Sequence, residues 1–321
     1  MNDNKKNSPT SAKDFFHPRN AHRQGYPLSE WLIRFPQLLP FATTNPAGDP
    51  TLDFFNPAAV RALNAVILED SYQLQHFTLP EGYLCPPVPG RADYVHHVAD
   101  LLAETLGKIP QGPSFRLLDI GTGASAIYGL LASRLYQWQP VMVDTDQPAL
   151  LNAQLIWQKN REVLGEGKFL LQPHPHRFLD GIVAKDDFFD VLLCNPPFHG
   201  SEEEAQLRAD KKFRSLTKDK RQTRVLNFGG QSAELWYPGG ELAFISGLMK
   251  ESVRYAGQCF WFTTLVSRQS SLPDLYNVLD TVQAQRVRTI SMGQGNKRSR
   301  VLCWTFFNFK QEKAWRKWKG C

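Results

Sequence analysis

Leu117-Leu118-Asp119-Ile120-Gly121-Thr122-Gly123-Ala124-Ser125 is the stretch from which the architecture of this chain can be inferred. It ends an apolar run, Phe115 to Ile120, that has the length of a buried strand, and a helix is predicted over residues 126–136. Glycines directly after a strand permit a tight turn and let a ligand approach the backbone at the start of the next helix. The stretch therefore predicts a strand, a ligand loop and a helix, in that order.

Strands and helices continue to alternate after this unit. Further apolar runs of strand length occupy residues 140–143, 168–171, 188–194, 241–245, 260–266, 289–292 and 301–307. The last two flank a Gly-Asn-Lys turn and predict a hairpin that adds an antiparallel edge. Alternating strands and helices imply a parallel sheet covered on both faces. The eight candidate runs predict an α/β fold, and we expect a seven-stranded, mostly parallel sheet.

We expect four regions along the chain. Residues 1–20 are polar and basic, which is typical of a disordered tail. Residues 21–113 contain amphipathic helical patterns, one of them starting at Asn56-Pro57, and predict a mainly helical N-terminal extension. The α/β domain is predicted to span residues 114–309, and residues 310–321 are predicted to form a basic, aromatic C-terminal tail.

Composition narrows the class of protein. Of 321 residues, 42% are apolar and 21% are charged, as in ordinary globular proteins. No apolar run approaches the ~20 residues that span a bilayer, and the first residues lack the apolar core of a signal peptide. The five cysteines are scattered and form no Cys/His ligand pattern, which predicts reduced thiols, a cytoplasmic location and no metal site. A net charge of +6 favours a polyanionic partner, and we expect a monomer.

A second motif, Asn195-Pro196-Pro197-Phe198, ends the apolar run at residues 188–194. Neither proline can donate a hydrogen bond to a neighbouring strand, so the strand stops and the backbone after Asn195 stays stiff and extended. The Asn195 side-chain oxygen and the freed carbonyls are then acceptors beside the flat ring of Phe198. This set suits a planar group bearing an NH2, such as a nucleobase or an amide. Taken alone, the motif could equally be a strand-ending turn with a core phenylalanine.

The glycine loop points to the cofactor. A carboxylate at the end of the second strand, Asp144, is placed to accept both hydroxyls of a ribose, with Asp146 as a less favoured alternative. The loop from Gly121 also fits a loose dinucleotide fingerprint, so NAD has to be considered. However, Asp119 puts negative charge where a pyrophosphate would lie, and it favours a cationic head group instead. We therefore expect S-adenosylmethionine, held by Asp119, Gly121, Gly123 and the ribose acceptor.

These motifs together resemble those class I methyltransferases that methylate exocyclic amines, which implies a Rossmann-like fold. From His17 to about Phe307 the chain is similar to the ribosomal RNA large-subunit methyltransferase F family and its eukaryotic methyltransferase-like relatives. The resemblance rests on residues 17–20, 84–94, 119–125 and 194–198. It implies formation of N6-methyladenine in large-subunit (23S) ribosomal RNA. It also implies S-adenosylmethionine contacts at Arg91, Gly121, Ser125, Asp144 and Asn195.

The expected chemistry is in-line methyl transfer to a weakly nucleophilic amine. Hydrogen bonds from the two N–H groups of adenine N6 to the Asn195 side-chain oxygen and the Pro196 carbonyl would direct its lone pair at the methyl and stabilise the developing charge. Pro197 keeps the motif extended, and Phe198 would stack on the base. These four residues are the predicted catalytic set. His199 is interpreted as a surface histidine and not as a base.

A basic stretch follows this motif. Eight cations and two acids lie between Arg208 and Arg224, and a set of four is predicted to bind RNA phosphates: Lys211, Lys212, Arg214 and Arg221. A solvated helix face is the alternative interpretation. The C-terminal residues mix cations with aromatic rings, as single-strand binders do. A tail that binds non-specifically is the alternative interpretation.

Other functions compete with adenine methylation. Guanine-N2 methylation of ribosomal RNA is the nearest, because enzymes of that kind are similar in having Asn-Pro-Pro-Phe followed by histidine; the N-terminal extension favours adenine. Glutamine methylation of a protein fits less well, given the basic surface and Phe198 where that group has tyrosine. A non-catalytic RNA-binding assembly factor is the alternative from a different class. The predicted partner is large-subunit ribosomal RNA, free or in a pre-ribosomal particle.

Overall fold

The computed structural model describes residues 16–54, 56–201, 203–204, 232–294 and 297–320. Its helices are α1 (Leu28–Arg34), α2 (Pro57–Tyr72), α3 (Val88–Leu106), α4 (Ile127–Tyr136), α5 (Gln147–Lys159), α6 (Arg161–Leu164), α7 (Ser232–Leu235), α8 (Gly240–Ser252), α9 (Leu272–Thr281) and α10 (Phe309–Trp318). Its strands are β1 (Ala42–Thr44), β2 (Pro50–Leu52), β3 (Arg116–Ile120), β4 (Gln139–Asp144), β5 (Lys168–Leu171), β6 (Phe189–Cys194), β7 (Cys259–Val266), β8 (Arg286–Gln294) and β9 (Lys297–Thr305).

One sheet of seven strands has the order β5-β4-β3-β6-β7-β9-β8. Strands β3 to β7 pair in parallel, whereas β9 runs antiparallel to both β7 and β8. The predicted seven-stranded, mostly parallel sheet with a hairpin at its edge is therefore confirmed. The chain leaves β3 toward one edge and returns to its other side at β6, so their carboxyl ends lie side by side, with Ile120 opposite Cys194. Such a switch point is where open α/β sheets bind ligands.

Apolar side chains cover both faces of this sheet. Successive residues of a strand point to opposite faces, so Leu117 joins one hydrophobic cluster and Leu118 the other. The first cluster also takes in the apolar faces of α2, α3 and α4, and the second those of α8 and α9. Every residue of β6 is buried. The continuous apolar runs in the sequence are the direct consequence, because a strand with two covered faces cannot alternate with polar residues.

The predicted strand at residues 241–245 is wrong, because these residues lie in α8. Buried Ile245, Leu248 and Met249 follow the helical spacing of three and four residues, which the short apolar run conceals. Buried Glu241 at the start of this helix accepts hydrogen bonds from the backbone N–H groups of Ser267 (2.6 Å) and Arg268 (3.3 Å). The helix thus holds the chain where it leaves β7.

The N-terminal extension is mainly helical, as predicted, with a short β1–β2 hairpin added. Its first described segment is fixed to α3. His17 and Asn20 donate to the Asp93 carboxylate from their backbone and side chain (2.6 and 3.0 Å), and Arg19 binds Asp100 at 2.6 Å. His96 is buried in this cluster, which lowers its pKa to about 4. The extension therefore buttresses the helix that carries Arg91.

Residues 310–318, predicted to belong to a C-terminal tail, lie in the helix Phe309–Trp318, which packs beside the central strand β6. A capping box begins this helix: the Asn308 side chain accepts the backbone N–H of Gln311, and the Gln311 side chain accepts the backbone N–H of Asn308. Trp315 is buried with its ring centroid 4.1 Å from that of Phe260, and its indole N–H donates to Asp190 at 2.8 Å. Trp315 is thus a core residue that cannot stack on a nucleic acid, although its sequence context suggested a single-strand binder.

A buried ion pair completes this contact. The Lys319 ammonium lies 2.8 Å from the Asp190 carboxylate, and the side chains are 3% and 1% exposed. Asp190 also accepts the backbone N–H of Arg116 at 2.7 Å. Burial raises the pKa of Asp190, and Lys319 opposes that shift.

Across the described ranges, none of the helices has the length and apolar character needed to cross a bilayer.

Candidate active site

A cavity of about 490 Å³ opens at the carboxyl ends of β3, β4 and β6. It also receives side chains from α3, from the loop after β5 and from α7. The structure brings together here most of the predicted site, namely Arg91, Gly121, Gly123, Ser125, Asp144, Asn195 and Pro197. Residues distant in sequence meet here because the carboxyl ends of the parallel strands β3 to β7 lie at the same edge of the sheet.

The glycine loop takes a path that only glycine adopts readily. Gly121 and Gly123 have φ angles of +73° and +64°, in the left-handed region that disfavours other residues. The backbone N–H groups of Gly121 and Thr122 both donate to the Val143 carbonyl, at 2.9 and 3.0 Å. The loop is thereby tied to the end of β4 and presents its backbone to the cavity.

Asp119 lies fully buried beneath this loop and outside the cavity lining. One carboxylate oxygen accepts the Thr122 hydroxyl at 2.7 Å, and the other has no hydrogen-bond partner among the described residues. Burial raises the pKa of Asp119 to about 7, and the nearby Asp144 carboxylate adds to the shift. Arg91 opposes it. A cationic ligand close to this carboxyl would favour its ionised form.

The two aspartates after β4 have different surroundings. Asp144 lines the cavity, and its oxygens accept the backbone N–H groups of Gly123 (2.7 Å) and Asp146 (3.0 Å). Asp146 caps α5 through Ala149 and accepts the Tyr83 hydroxyl at 3.0 Å. Asp146 does not belong to the lining of this cavity. Asp144 is thus the carboxylate available to a ligand.

Arg91 adds a positive charge to the lining of the cavity. It lies in the first turns of α3 and donates to the Tyr128 hydroxyl at 2.7 Å. Burial raises the pKa of Tyr128, which therefore stays protonated beside the guanidinium. A guanidinium held in this way matches a planar carboxylate.

The Asn-Pro-Pro-Phe motif is held in place from outside the sheet. The backbone N–H of His199 donates to the Leu235 carbonyl (3.1 Å), and that of Tyr237 donates to the His199 carbonyl (3.0 Å). The side-chain oxygen of Asn195 is buried and finds no donor in the part of the chain that the structure describes. Pro196 and Pro197 are buried beside it.

Phe198 and His199 are placed differently from Asn195. Phe198 lines a neighbouring cavity of about 320 Å³, together with Arg268 and Ser271, and not the larger one. His199 is not among the residues that line either cavity. The larger cavity therefore presents Asn195 and Pro197, and the ring of Phe198 borders the space next to it.

Several lining residues were missed from the sequence: Gln172, Pro175, His176, Arg177, Phe178, Glu234, Trp236, Tyr237, Pro238 and Phe244. Gln172 directly follows β5, so the strand-end rule could have found it. Edge-to-face contacts join His176 to Tyr237, Tyr237 to Phe244 and Phe244 to Phe178, with centroids 5.8, 5.1 and 4.8 Å apart. These rings form one aromatic wall, which no local pattern announces.

The predicted RNA-binding residues Lys211, Lys212, Arg214 and Arg221 lie outside the described residues. Within the described ranges there is no group of three or more His, Cys, Asp or Glu side chains that could hold a metal ion.

Comparison with known proteins places this chain in a family. A family model described as RNA methyltransferase matches residues 10–308. Ribosomal RNA large subunit methyltransferase F of Photobacterium profundum is 44% identical, over 97% of this chain and 97% of that protein. The enzyme of the same name from Flavobacterium johnsoniae is 45% identical, over 95% and 98%. The crystal structure of the human METTL16 catalytic domain with MAT2A 3′UTR hairpin 6 superposes with a TM-score of 0.74 at 26% identity, covering 92% of this chain and 98% of that one.

The fold and the cavity thus define a class I methyltransferase that uses S-adenosylmethionine as methyl donor. Most of the chain matches one family model, and the identity to curated relatives extends over nearly their whole length. The chain belongs to the RNA methyltransferase family.

Proposed function

We propose that this protein methylates the exocyclic N6 of an adenine in large-subunit ribosomal RNA. The observation that carries the proposal is the side-chain oxygen of Asn195, which is buried, finds no partner among the described residues, and belongs to a residue that lines the cofactor cavity at the carboxyl end of β6. Buried polar atoms without a partner in a cleft call for a ligand group, here an N–H donor. The names of the relatives supply the class of RNA.

Bound S-adenosylmethionine supplies an electrophilic methyl group. Arg91 is suited to its carboxylate, Asp119 to its ammonium group and Asp144 to the ribose hydroxyls. The backbone of the loop that contains Gly121, Gly123 and Ser125 would lie along the cofactor. The cavity of about 490 Å³ has the size of sites for ligands of this kind.

The chain's own part in the reaction is to orient and stabilise. Asn195 and the Pro196 carbonyl would accept the two N–H groups of the amine, so that its lone pair faces the methyl. As the nitrogen–carbon bond forms, these acceptors stabilise the positive charge on nitrogen. The methylated ammonium is acidic and loses its proton to water, so no base is needed. The base must be unpaired or flipped to reach the cavity. Phe198, which lines the neighbouring cavity, is proposed to stack on the base.

Nucleoside analysis tests the proposal directly. The protein is incubated with S-adenosylmethionine and large-subunit RNA from cells that lack it, and the RNA is digested to nucleosides. We expect N6-methyladenosine as the methylated product. N2-methylguanosine would replace the proposal with guanine methylation, and the absence of any methylated nucleoside would favour a non-catalytic assembly factor. Because bacterial ribosomes form in the cytoplasm, the proposal also places the protein there.

Replacing Asp144 by alanine is expected to weaken S-adenosylmethionine binding by roughly 10- to 100-fold, because charge-assisted hydrogen bonds to the ribose hydroxyls are lost. Isothermal calorimetry measures the change. Asp146→Ala is the matched control: that side chain caps α5, so its loss should cost about 1 kcal/mol of stability and leave cofactor affinity unchanged. A greater loss of affinity in Asp146→Ala than in Asp144→Ala would reassign the ribose acceptor.

The basic stretch is proposed to track RNA phosphates. Replacing Lys211, Lys212, Arg214 and Arg221 by alanine should weaken RNA binding whatever its sequence. Each lost phosphate contact should also lower the slope of log K against log salt by ~0.7 for a single strand. Titrations of a labelled RNA at several salt concentrations measure both effects. Cofactor affinity should not change.

A control set carries the same charge loss elsewhere: Lys108, Lys159, Lys185 and Lys250. These exposed lysines lie toward the amino ends of the strands, at the edge of the sheet opposite the cavity. Replacing them by alanine should leave the slope nearly as in the wild type. An unchanged slope in the basic-stretch variant would mean that the stretch is a solvated face.

A further inference from the structure

Trp236 follows α7 and lies against the end of the catalytic motif. Residues 235–237 run beside His199 in a parallel bridge with a hydrogen bond on each side of Trp236 (3.1 and 3.0 Å). The side chain of Trp236 lines the same cavity as Asn195 and Pro197. Backbone pairing on both sides fixes this residue relative to the motif, so its ring belongs to the wall that an incoming base would meet.

The indole N–H of Trp236 is a buried donor that has no acceptor among the described residues. The side-chain oxygen of Asn195 is a buried acceptor for which the described ranges supply no donor. Native proteins rarely leave such atoms unpaired, and where they do, an absent ligand is a standard reason. The lining of one cavity therefore contains a donor and an acceptor that find no partner among the described residues, which is a pattern suited to the edge of a nucleobase.

Adenine complements this pair on either side of its amine. The N6 amine donates, and the ring nitrogens that flank it, N1 and N7, are both acceptors. The N2 amine of guanine is flanked by the N1–H donor on one side and by the N3 acceptor on the other. A fixed donor beside the acceptor for the amine thus suits adenine on both edges, whereas guanine fits only through its N3 edge and is opposed through N1–H.

We propose that the indole N–H of Trp236 donates a hydrogen bond to the ring nitrogen beside the adenine amine and so orients and selects the base. This proposal rests on the proposed adenine-N6 activity and adds to it the residue that determines specificity. If Trp236 only packs against the motif, the effect of replacing it will not depend on whether the substrate base carries that ring nitrogen.

The test combines a variant with altered substrates. Trp236→Phe keeps an aromatic ring and removes the donor. Target RNAs carry adenosine, 1-deazaadenosine or 7-deazaadenosine at the methylated position, and kcat/KM is measured for each. On adenosine we expect the variant to be about 10- to 100-fold slower than the wild type, since the site loses one hydrogen bond to the base. On one of the two deaza substrates the wild type should show a similar loss, and the variant should add no further loss.

Trp261→Phe is the matched control. Trp261 lies in β7, is buried, and has an indole N–H that likewise lacks a partner among the described residues, but it does not line the cavity. Its replacement removes the same group and should leave kcat/KM unchanged. Thermal melting and S-adenosylmethionine affinity establish that both variants are folded.

Two results would overturn the role of Trp236. The first is an equal Trp236→Phe effect on all three RNAs, which would mean that the ring acts through packing. The second is a wild-type rate that neither deaza substitution lowers, and this measurement needs no variant to fold. A wild-type enzyme that makes no N6-methyladenosine would instead refute the proposed function itself, so the two failures are distinguishable.

Discussion

Asn195→Ala is expected to lower the rate of methyl transfer about 10²- to 10³-fold, the effect of losing one preorganised partner of a developing charge. The side-chain oxygen of Asn195 would accept an N–H of the reacting amine. This interaction strengthens as positive charge grows on nitrogen, so its loss should fall on kcat. Single-turnover transfer of a labelled methyl group to RNA measures the effect.

The same replacement should leave the fold and most RNA binding intact. The Asn195 side-chain oxygen makes no hydrogen bond to the described part of the protein, so its removal breaks no hydrogen bond of the fold there. Thermal melting and RNA affinity should therefore stay close to those of the wild type. Asn195→Asp keeps an acceptor in place and should retain more activity than the alanine variant. An alanine variant with more than about a tenth of the wild-type rate would remove Asn195 from the mechanism.

Lys319→Met is expected to cost about 3–5 kcal/mol of folding free energy, because it leaves the Asp190 carboxylate buried without its cation. The loss should shrink as the pH falls. The pKa of Asp190 is already raised by burial, and without Lys319 it rises further, so the carboxyl becomes protonated and neutral at moderately acidic pH. Above that range the charge is present and the full cost applies. Urea unfolding at several pH values measures both effects.

Lys317→Met is the control for this experiment. Lys317 is exposed on α10, two residues before Lys319, and such surface changes are usually worth within about 0.5 kcal/mol. A loss of less than about 1 kcal/mol in Lys319→Met, or a loss that does not change with pH, would mean that the ion pair contributes little to stability.

The sheet and most of the cofactor site could be predicted because their signals are local. Two-sided burial makes each parallel strand an apolar run, and the residue that ends the run marks the edge where ligands bind. Asp144 and Asn195 were found by that rule, since a strand-ending polar residue is unusual in a buried element. Asp119 was found by its position two residues before the first glycine of the loop. The structure adds the reason for preferring Asp144 to Asp146, whose side chain caps α5.

Other parts have no local signal. The apolar run at residues 241–245 is too short for its period to distinguish a helix from a strand. Trp315 looks like a nucleic-acid contact in a cationic sequence, and only its packing against Phe260 makes it a core residue. Trp236 and Phe244 join the cavity through tertiary contacts alone. The sequence gives the residue types, but it does not indicate which tertiary contacts they make.

The distance along the chain between Asp190 and its cation has a consequence for biosynthesis. The two residues are 129 positions apart, and Asp190 lies on the central strand of the sheet. A chain that emerges residue by residue from the ribosome exposes β3 to β6 long before Lys319 exists, so the sheet cannot bury Asp190 as an ion pair at that time. The centre of the sheet therefore reaches its native, ion-paired state only after translation has passed Lys319.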